Sequence, residues 1–114
     1  MGADLYIEDK IGNNLGYFRD SYNDSNVFWK FEGSYWEMIE IATEEIYSEV
    51  NCEKAISYME EKLANDEVFE KNISELLEVE KEYFKKEAKN LKKFVKKARA
   101  VLNGKIEGKI IFSV

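Results

Sequence analysis

From Glu67 to Leu102 the chain runs without a glycine or a proline. Apolar residues fall at Phe69, Ile73, Leu76, Leu77, Phe84, Ala88, Leu91, Phe94, Val95, Ala98 and Leu102. Steps of three and four place such residues on one face of an α-helix. This pattern commits the C-terminal half to helix. A straight helix over this stretch would reach roughly 54 Å. A compact domain of this size has a radius of gyration of only about 13 Å. Either the helix breaks, with Asn72-Ile73-Ser74-Glu75 as the place for a second cap, or it protrudes and forms a homodimer through the Phe69–Leu102 stripe.

The remaining elements are shorter. Ala3 to Glu8 reads as a strand, followed by turn residues Gly12, Asn13 and Asn14. Leu15 to Phe31 is ambiguous, with Asp24 or Ser25 able to cap a short helix carrying Val27, Phe28, Trp29 and Phe31. Ser34-Tyr35-Trp36-Glu37 is a capping box, with a hydroxyl at the N-cap and a carboxylate three residues on. The helix after it buries Tyr35, Ile39, Ala42, Ile46 and Val50. Its other face carries Glu37, Glu40, Glu44, Glu45 and Glu49. Asn51 caps a second helix over Cys52 to Ala64, burying Ala55, Ile56, Met59 and Leu63. Asn65-Asp66 opens the long stretch, and Asn103-Gly104 closes it. Residues 105–114 read as a terminal strand able to pair with Leu5–Ile7. The expected fold is a single α+β domain over residues 1–114, mostly α-helical. Three or four helices pack on a small antiparallel strand pair made from the N- and C-terminal ends.

Charge is divided along the chain. Residues 1–65 carry a net −9 and residues 66–114 a net +3. An acidic molecule disfavours nucleic acid, whose phosphates dominate such binding. It favours a host protein with a basic surface. Cys52 is the single cysteine, so no internal disulfide forms and a reducing compartment is expected. No apolar run approaches the roughly 20 residues of a membrane span, and Met1-Gly2-Ala3-Asp4 is not a secretory signal. The chain reads as soluble and cytoplasmic, inside the host cell, with no membrane partner.

There is no histidine. That excludes Ser-His-Asp and Cys-His relays and histidine zinc sites. No GxGxxG or GxxxxGK[ST] loop is present, so no nucleotide cofactor is indicated. Cys52 lies near a helix start, but Glu49 and Glu53 flank it and oppose a thiolate. Glu37, Glu40 and Glu44 line one helix face. They read as a solvated surface, an acidic docking face, or a site for a hard divalent cation. Lys85, Lys86, Lys89, Lys92, Lys93, Lys96, Lys97 and Arg99 face away from the apolar stripe, offset only by Glu87. Here the favoured reading is a solvated face that pairs internally with the acidic helices. The lysines lack the interleaved aromatics that stack on bases.

The segment Gly16-Tyr17-Phe18-Arg19-Asp20-Ser21-Tyr22-Asn23-Asp24-Ser25-Asn26 follows no secondary-structure period. Breaks of this kind mark functional surfaces. Arg19 offers a bidentate fork and the tyrosines rigid contact area. The alternative places Tyr17, Phe18, Tyr22, Trp29 and Trp36 in the core, with Arg19 paired locally to Asp20 or Asp24. Together with the opening Met1-Gly2-Ala3-Asp4-Leu5-Tyr6-Ile7 and Trp29, this segment resembles small uncharacterised phage and prophage proteins. The resemblance covers roughly the first third of the chain and carries over no catalytic residue. A short glycine-bearing turn precedes Gly16 where those proteins carry a longer charged helix. The resemblance implies a small protein of a mobile element acting inside a host.

The function expected is a non-enzymatic protein-binding module, a phage-encoded acidic inhibitor of a host defence protein. Its surface would comprise Tyr17, Arg19, Asp20, Tyr22, Asn23, Asp24, Glu37, Glu40, Glu44 and Glu45. A second reading is a small-ligand or divalent-metal enzyme using Arg19, Asp20 and the helix carboxylates, which requires a concave pocket at Arg19. A third is the structural homodimer.

Overall fold

A computed structural model describes residues 2–21, 26–42 and 53–113, without the side chains of Ile39 and Ala42. The readings placed on Tyr22, Asn23, Asp24, Ser25, Glu44, Glu45, Ile46, Glu49, Val50, Asn51 and Cys52 lie outside the described residues. The described elements, in chain order, are β1 (Gly2–Glu8), β2 (Asn14–Ser21), α1 (Val27–Lys30), α2 (Tyr35–Ala42), α3 (Glu53–Leu63), α4 (Asp66–Ile73), α5 (Glu78–Leu102) and β3 (Lys109–Ser113). The fold is α+β and mostly helical, as the sequence predicts.

The two ends of the chain pair antiparallel, with Leu5 opposite Phe112 and Ile7 opposite Ile110. A third strand joins them. β2 pairs antiparallel with β1 on its other side, giving the order β2-β1-β3. The segment that follows no period by sequence is therefore largely an edge strand. In β1 the alternation is strict: Ala3, Leu5 and Ile7 are buried, and the residues between them are only partly so. Beside them lie Phe18, Ile110 and Phe112, also buried. Hydrophobic alternation of this kind turns one sheet face to the helices and leaves the other to water. The β1–β2 turn is shaped by Asp9, whose carboxylate accepts from the N–H of Ile11 and Asn13 at 3.0 and 2.8 Å. Gly12 takes a positive φ of 87° there, a conformation that glycine adopts without steric cost.

The long helical stretch breaks. α4 ends at Ile73, and Ser74 donates its hydroxyl to the Lys71 carbonyl at 2.8 Å. Leu77, extended at ψ 153°, opens α5 without a side-chain cap. The second cap expected at Asn72–Glu75 does not form; Asn72 instead donates to the Lys30 carbonyl at 2.9 Å. Leu77 leaves the apolar stripe and is exposed. Phe69, Ile73, Phe84, Ala88, Leu91, Phe94, Val95 and Ala98 of the stripe are buried within the chain, and Leu76 and Leu102 are partly buried against them. The surface a homodimer would use is thus covered by the protein's own core. At the other end, Lys105 and Gly104 N–H groups donate to the carbonyls of Ala100 and Val101 at 2.9 and 3.1 Å, with Gly104 at φ 75°. This is the glycine-terminated helix end that Asn103-Gly104 predicts.

The shorter helices follow their caps. The Asn65 side chain accepts from Val68 N–H at 3.3 Å. Ala55, Ile56, Met59 and Leu63 of α3 are buried as their spacing requires, and Tyr58 joins them. Tyr35 and Met38 of α2 are buried. Asn26, rather than a residue before it, caps α1 through its side-chain oxygen. Phe31 of the following turn stacks on Phe69 of α4, ring centroids 4.5 Å apart. Gly33 lies so close to the Phe28 ring that an added Cβ would fall 2.4 Å from it.

Candidate functional site

β2 divides its polar residues between two environments. Arg19 sits opposite Asp4 in the register and donates to both carboxylate oxygens at 3.2 Å. Tyr17 donates its hydroxyl to the same carboxylate at 2.6 Å, and its ring lies 5.0 Å from that of Tyr6 across the strands. Asp4 thereby holds the Tyr17 hydroxyl above its usual pKa. The expected local pair with Asp20 gives way to this cross-strand one, because strand geometry sends neighbouring side chains to opposite faces; the alternative with Asp24 lies outside the described residues. Tyr17 and Arg19 are exposed on the open face of the sheet.

Asp20 points the other way. Its carboxylate accepts from the N–H of Ser21, Val27 and Phe28 at 3.0, 3.3 and 3.3 Å, and from the Tyr35 hydroxyl at 2.7 Å. It joins the end of β2 to the starts of α1 and α2. Burial raises its pKa above the ordinary carboxylate value, against the pull of these four donors. Asp20, counted by sequence among surface contacts, is part of the internal framework.

α2 presents Trp36, Glu37 and Glu40 outward. Its start has the expected Ser34 cap, the hydroxyl accepting from Glu37 N–H at 3.3 Å. The return half of the box runs through a third residue. Ser34 N–H donates to the Tyr58 hydroxyl oxygen at 3.0 Å, and that hydroxyl donates to the Glu37 carboxylate at 3.1 Å. Burial is the main cause of the raised Tyr58 pKa. Glu37 is thus tethered on one side, and Trp36 and Glu40 are also exposed.

The aromatic residues are sorted by type. All seven phenylalanines are buried, and both tryptophans, Trp29 and Trp36, are 51% and 58% exposed. Of the five aromatics placed in the core by the alternative reading, Phe18 is buried and Tyr17, Trp29 and Trp36 are not; Tyr22 lies outside the described residues. Composition cannot reveal this division, because Phe and Trp carry similar apolar weight in any sequence pattern.

The cations of α5 are also divided. Arg99 donates to Glu60 at 2.6 and 3.0 Å, to Glu53 at 2.7 and 2.8 Å and to Ser57 at 3.1 Å. These bonds hold its guanidinium charged and lower the Glu53 pKa. Lys92 pairs with Asp66 at 2.6 Å. Among the described residues, internal pairing of these cations with the acidic helices stops there. Lys85, Lys86, Lys89, Lys93 and Lys96 are exposed and form no ion pair among the described residues. Between β2 and this helix lies a groove of about 270 Å³. Arg19 lines one of its walls and is not its floor.

Among the described residues no group of three or more Cys, Asp or Glu side chains is placed to hold a metal ion. No helix among them is long and apolar enough to cross a membrane. No family model matches the chain, and neither a curated protein nor a solved structure matches it.

Proposed function

We propose that the protein is a non-enzymatic protein-binding module, a phage-encoded acidic inhibitor that docks on a basic surface of a host protein, a defence component in the version the resemblance favours. The observation that carries this reading is the sorting of aromatics. All seven phenylalanines are buried, while both tryptophans leave about half of their surface to water. Exposed Trp, Tyr and Arg are the residue types on which interface energy concentrates. On α2 the exposed Trp36 lies beside Glu37 and one helical turn from Glu40. An aromatic anchor flanked by carboxylates suits a basic surface with an apolar recess. The anchor supplies affinity, and the acids steer the encounter and reject acidic surfaces. The sequence extends this acidic face through Glu44 and Glu45.

The test compares the wild-type chain with Trp36→Ala/Glu40→Lys as baits in host lysate, at low and high salt, with mass spectrometry. The expected result is one stoichiometric host protein, held by the wild type at low salt and lost in high salt and by the variant. A partner that the variant retains equally would overturn the reading, provided circular dichroism shows both baits folded.

A further inference from the structure

We propose that the groove between β2 and α5 takes an extended acidic peptide, which adds to the sheet as a fourth strand. β2 is an edge of the sheet, with β1 on its inner side. The backbone shows which groups face outward. The Leu15 carbonyl accepts from Lys97 Nζ of α5 at 2.7 Å, which ties the strand to the helix at one end of the groove. The Asp20 carbonyl lies so close to Gly2 that a Cβ there would be 2.5 Å away, so it points toward β1. Groups of one strand residue share a side, and the side alternates along the strand. Leu15 lies at the register shift between Ile7 and Glu8, so the alternation is counted from Asp20, and it turns the N–H and C=O of Tyr17 and Arg19 to the open edge of β2, beside the groove they line. A row of alternating donors and acceptors is what an incoming strand pairs with.

The opposite wall sets the chemistry of the occupant. Lys86, Asn90, Lys93 and Lys97 recur at steps of four, three and four, which is one row along α5. Lys93 and Lys97 line the groove, with Glu87 as its single acid. Phe18 and Phe94 close its floor. A peptide strand laid along β2 would turn alternate side chains toward this row, and carboxylates there would meet Lys86 and Lys93, which form no ion pair among the described residues. A phosphate backbone fits less well, because it offers acceptors only and would face the outward carbonyls of Tyr17 and Arg19 and the Glu87 carboxylate. The site shares no residue with the Trp36–Glu40 face.

A display library of random octapeptides, selected on the wild-type chain, is expected to enrich Asp or Glu at alternate positions. The best synthetic member should shift amide signals of residues 16–19 and 86–97 in an NMR titration. Lys93→Glu leaves the Lys97 contact intact and should weaken that peptide about tenfold or more. Methylating alternate backbone nitrogens of the peptide should abolish binding, since it removes the strand donors and leaves the charge. No enrichment, enrichment of basic or neutral peptides, shifts confined elsewhere, or undiminished binding of the methylated peptide would each overturn the proposal. So would a poly-dT oligonucleotide that occupies the groove more tightly than the peptide.

Discussion

β2 handles charge in opposite ways at its two ends. At the C-terminal end, Asp20 is partly buried and accepts from four donors of the same chain: three backbone N–H groups and the Tyr35 hydroxyl. At the N-terminal and middle part, the strand faces α5 across a groove whose lysines, Lys97 apart, find no partner among the described residues. The first arrangement fixes where β2 ends and two helices begin. In the second, only Lys97 makes a hydrogen bond to the strand among the described residues. A polar group whose partners are all internal can be explained by the fold alone, whereas a row of like charges without partners cannot. This contrast predicts which substitutions unfold the protein and which leave it folded.

The largest effect should come at Asp20. Asp20→Ala strands the N–H groups of Val27 and Phe28 at the start of α1 and removes the Tyr35 tether. Losing a cap and leaving buried donors unpaired should cost roughly 3 kcal/mol, read as a lower urea midpoint. A loss below about 0.5 kcal/mol, the level of ordinary surface substitutions, would place Asp20 with the solvated charges and erase the contrast.

The same carboxylate sets a pH dependence. Burial raises its pKa in the folded state, so the folded chain holds the proton more tightly than the unfolded chain. Stability contributed by this group is then full below the unfolded value near 3.9. It falls as pH rises through the raised folded value and levels off above it. Asp20→Asn does not titrate, so the stability of the wild type relative to this variant should decline from about pH 4 upward. A relative stability that rises with pH would mean that the four hydrogen bonds outweigh burial.

How far the sequence anticipates each region follows from the same physics. β1, β3 and α3 bury one apolar residue per period, and their pattern is plain in the chain. The Ser34, Asn65 and Gly104 punctuation is equally local. β2 is hidden because its inward positions are Gly16, Phe18 and Asp20: one small residue, one apolar and one acid that the helices satisfy. Alternation vanishes when an inward position is polar and its partners lie up to 15 residues away, as Tyr35 does. The pairing of Arg19 with Asp4 spans the same distance in sequence. The exposure of Trp29 and Trp36 has no local signal at all, since it depends on how α1 and α2 dock.

Arg99 offers an intermediate case on α5 itself. It is three-quarters shielded and bridges α3 through two carboxylates and a serine. Arg99→Ala should destabilise by on the order of 1 kcal/mol, less in high salt, because multidentate guanidinium–carboxylate contacts exceed simple surface pairs yet remain screened. A loss as large as that at Asp20 would show that α3 and α5 are held by charge rather than by Ala55, Ile56, Met59 and the apolar stripe.

The smallest effect is expected for Lys86 and Lys93, and it discriminates most. Neither forms an ion pair among the described residues, and both sit in a run of like charges. Replacing both by Glu removes mutual repulsion along α5 and adds none of the desolvation that makes Asp20 sensitive. Stability should stay within about 0.5 kcal/mol of wild type, as for surface sites remote from caps and cores. Screening by salt should narrow even that difference. A marked loss would mean that these lysines support the fold after all, and the distinction between the two ends of β2 would disappear. A folded, equally stable double variant that no longer binds the acidic peptide would separate recognition from folding at this edge, which no substitution at Asp20 can do.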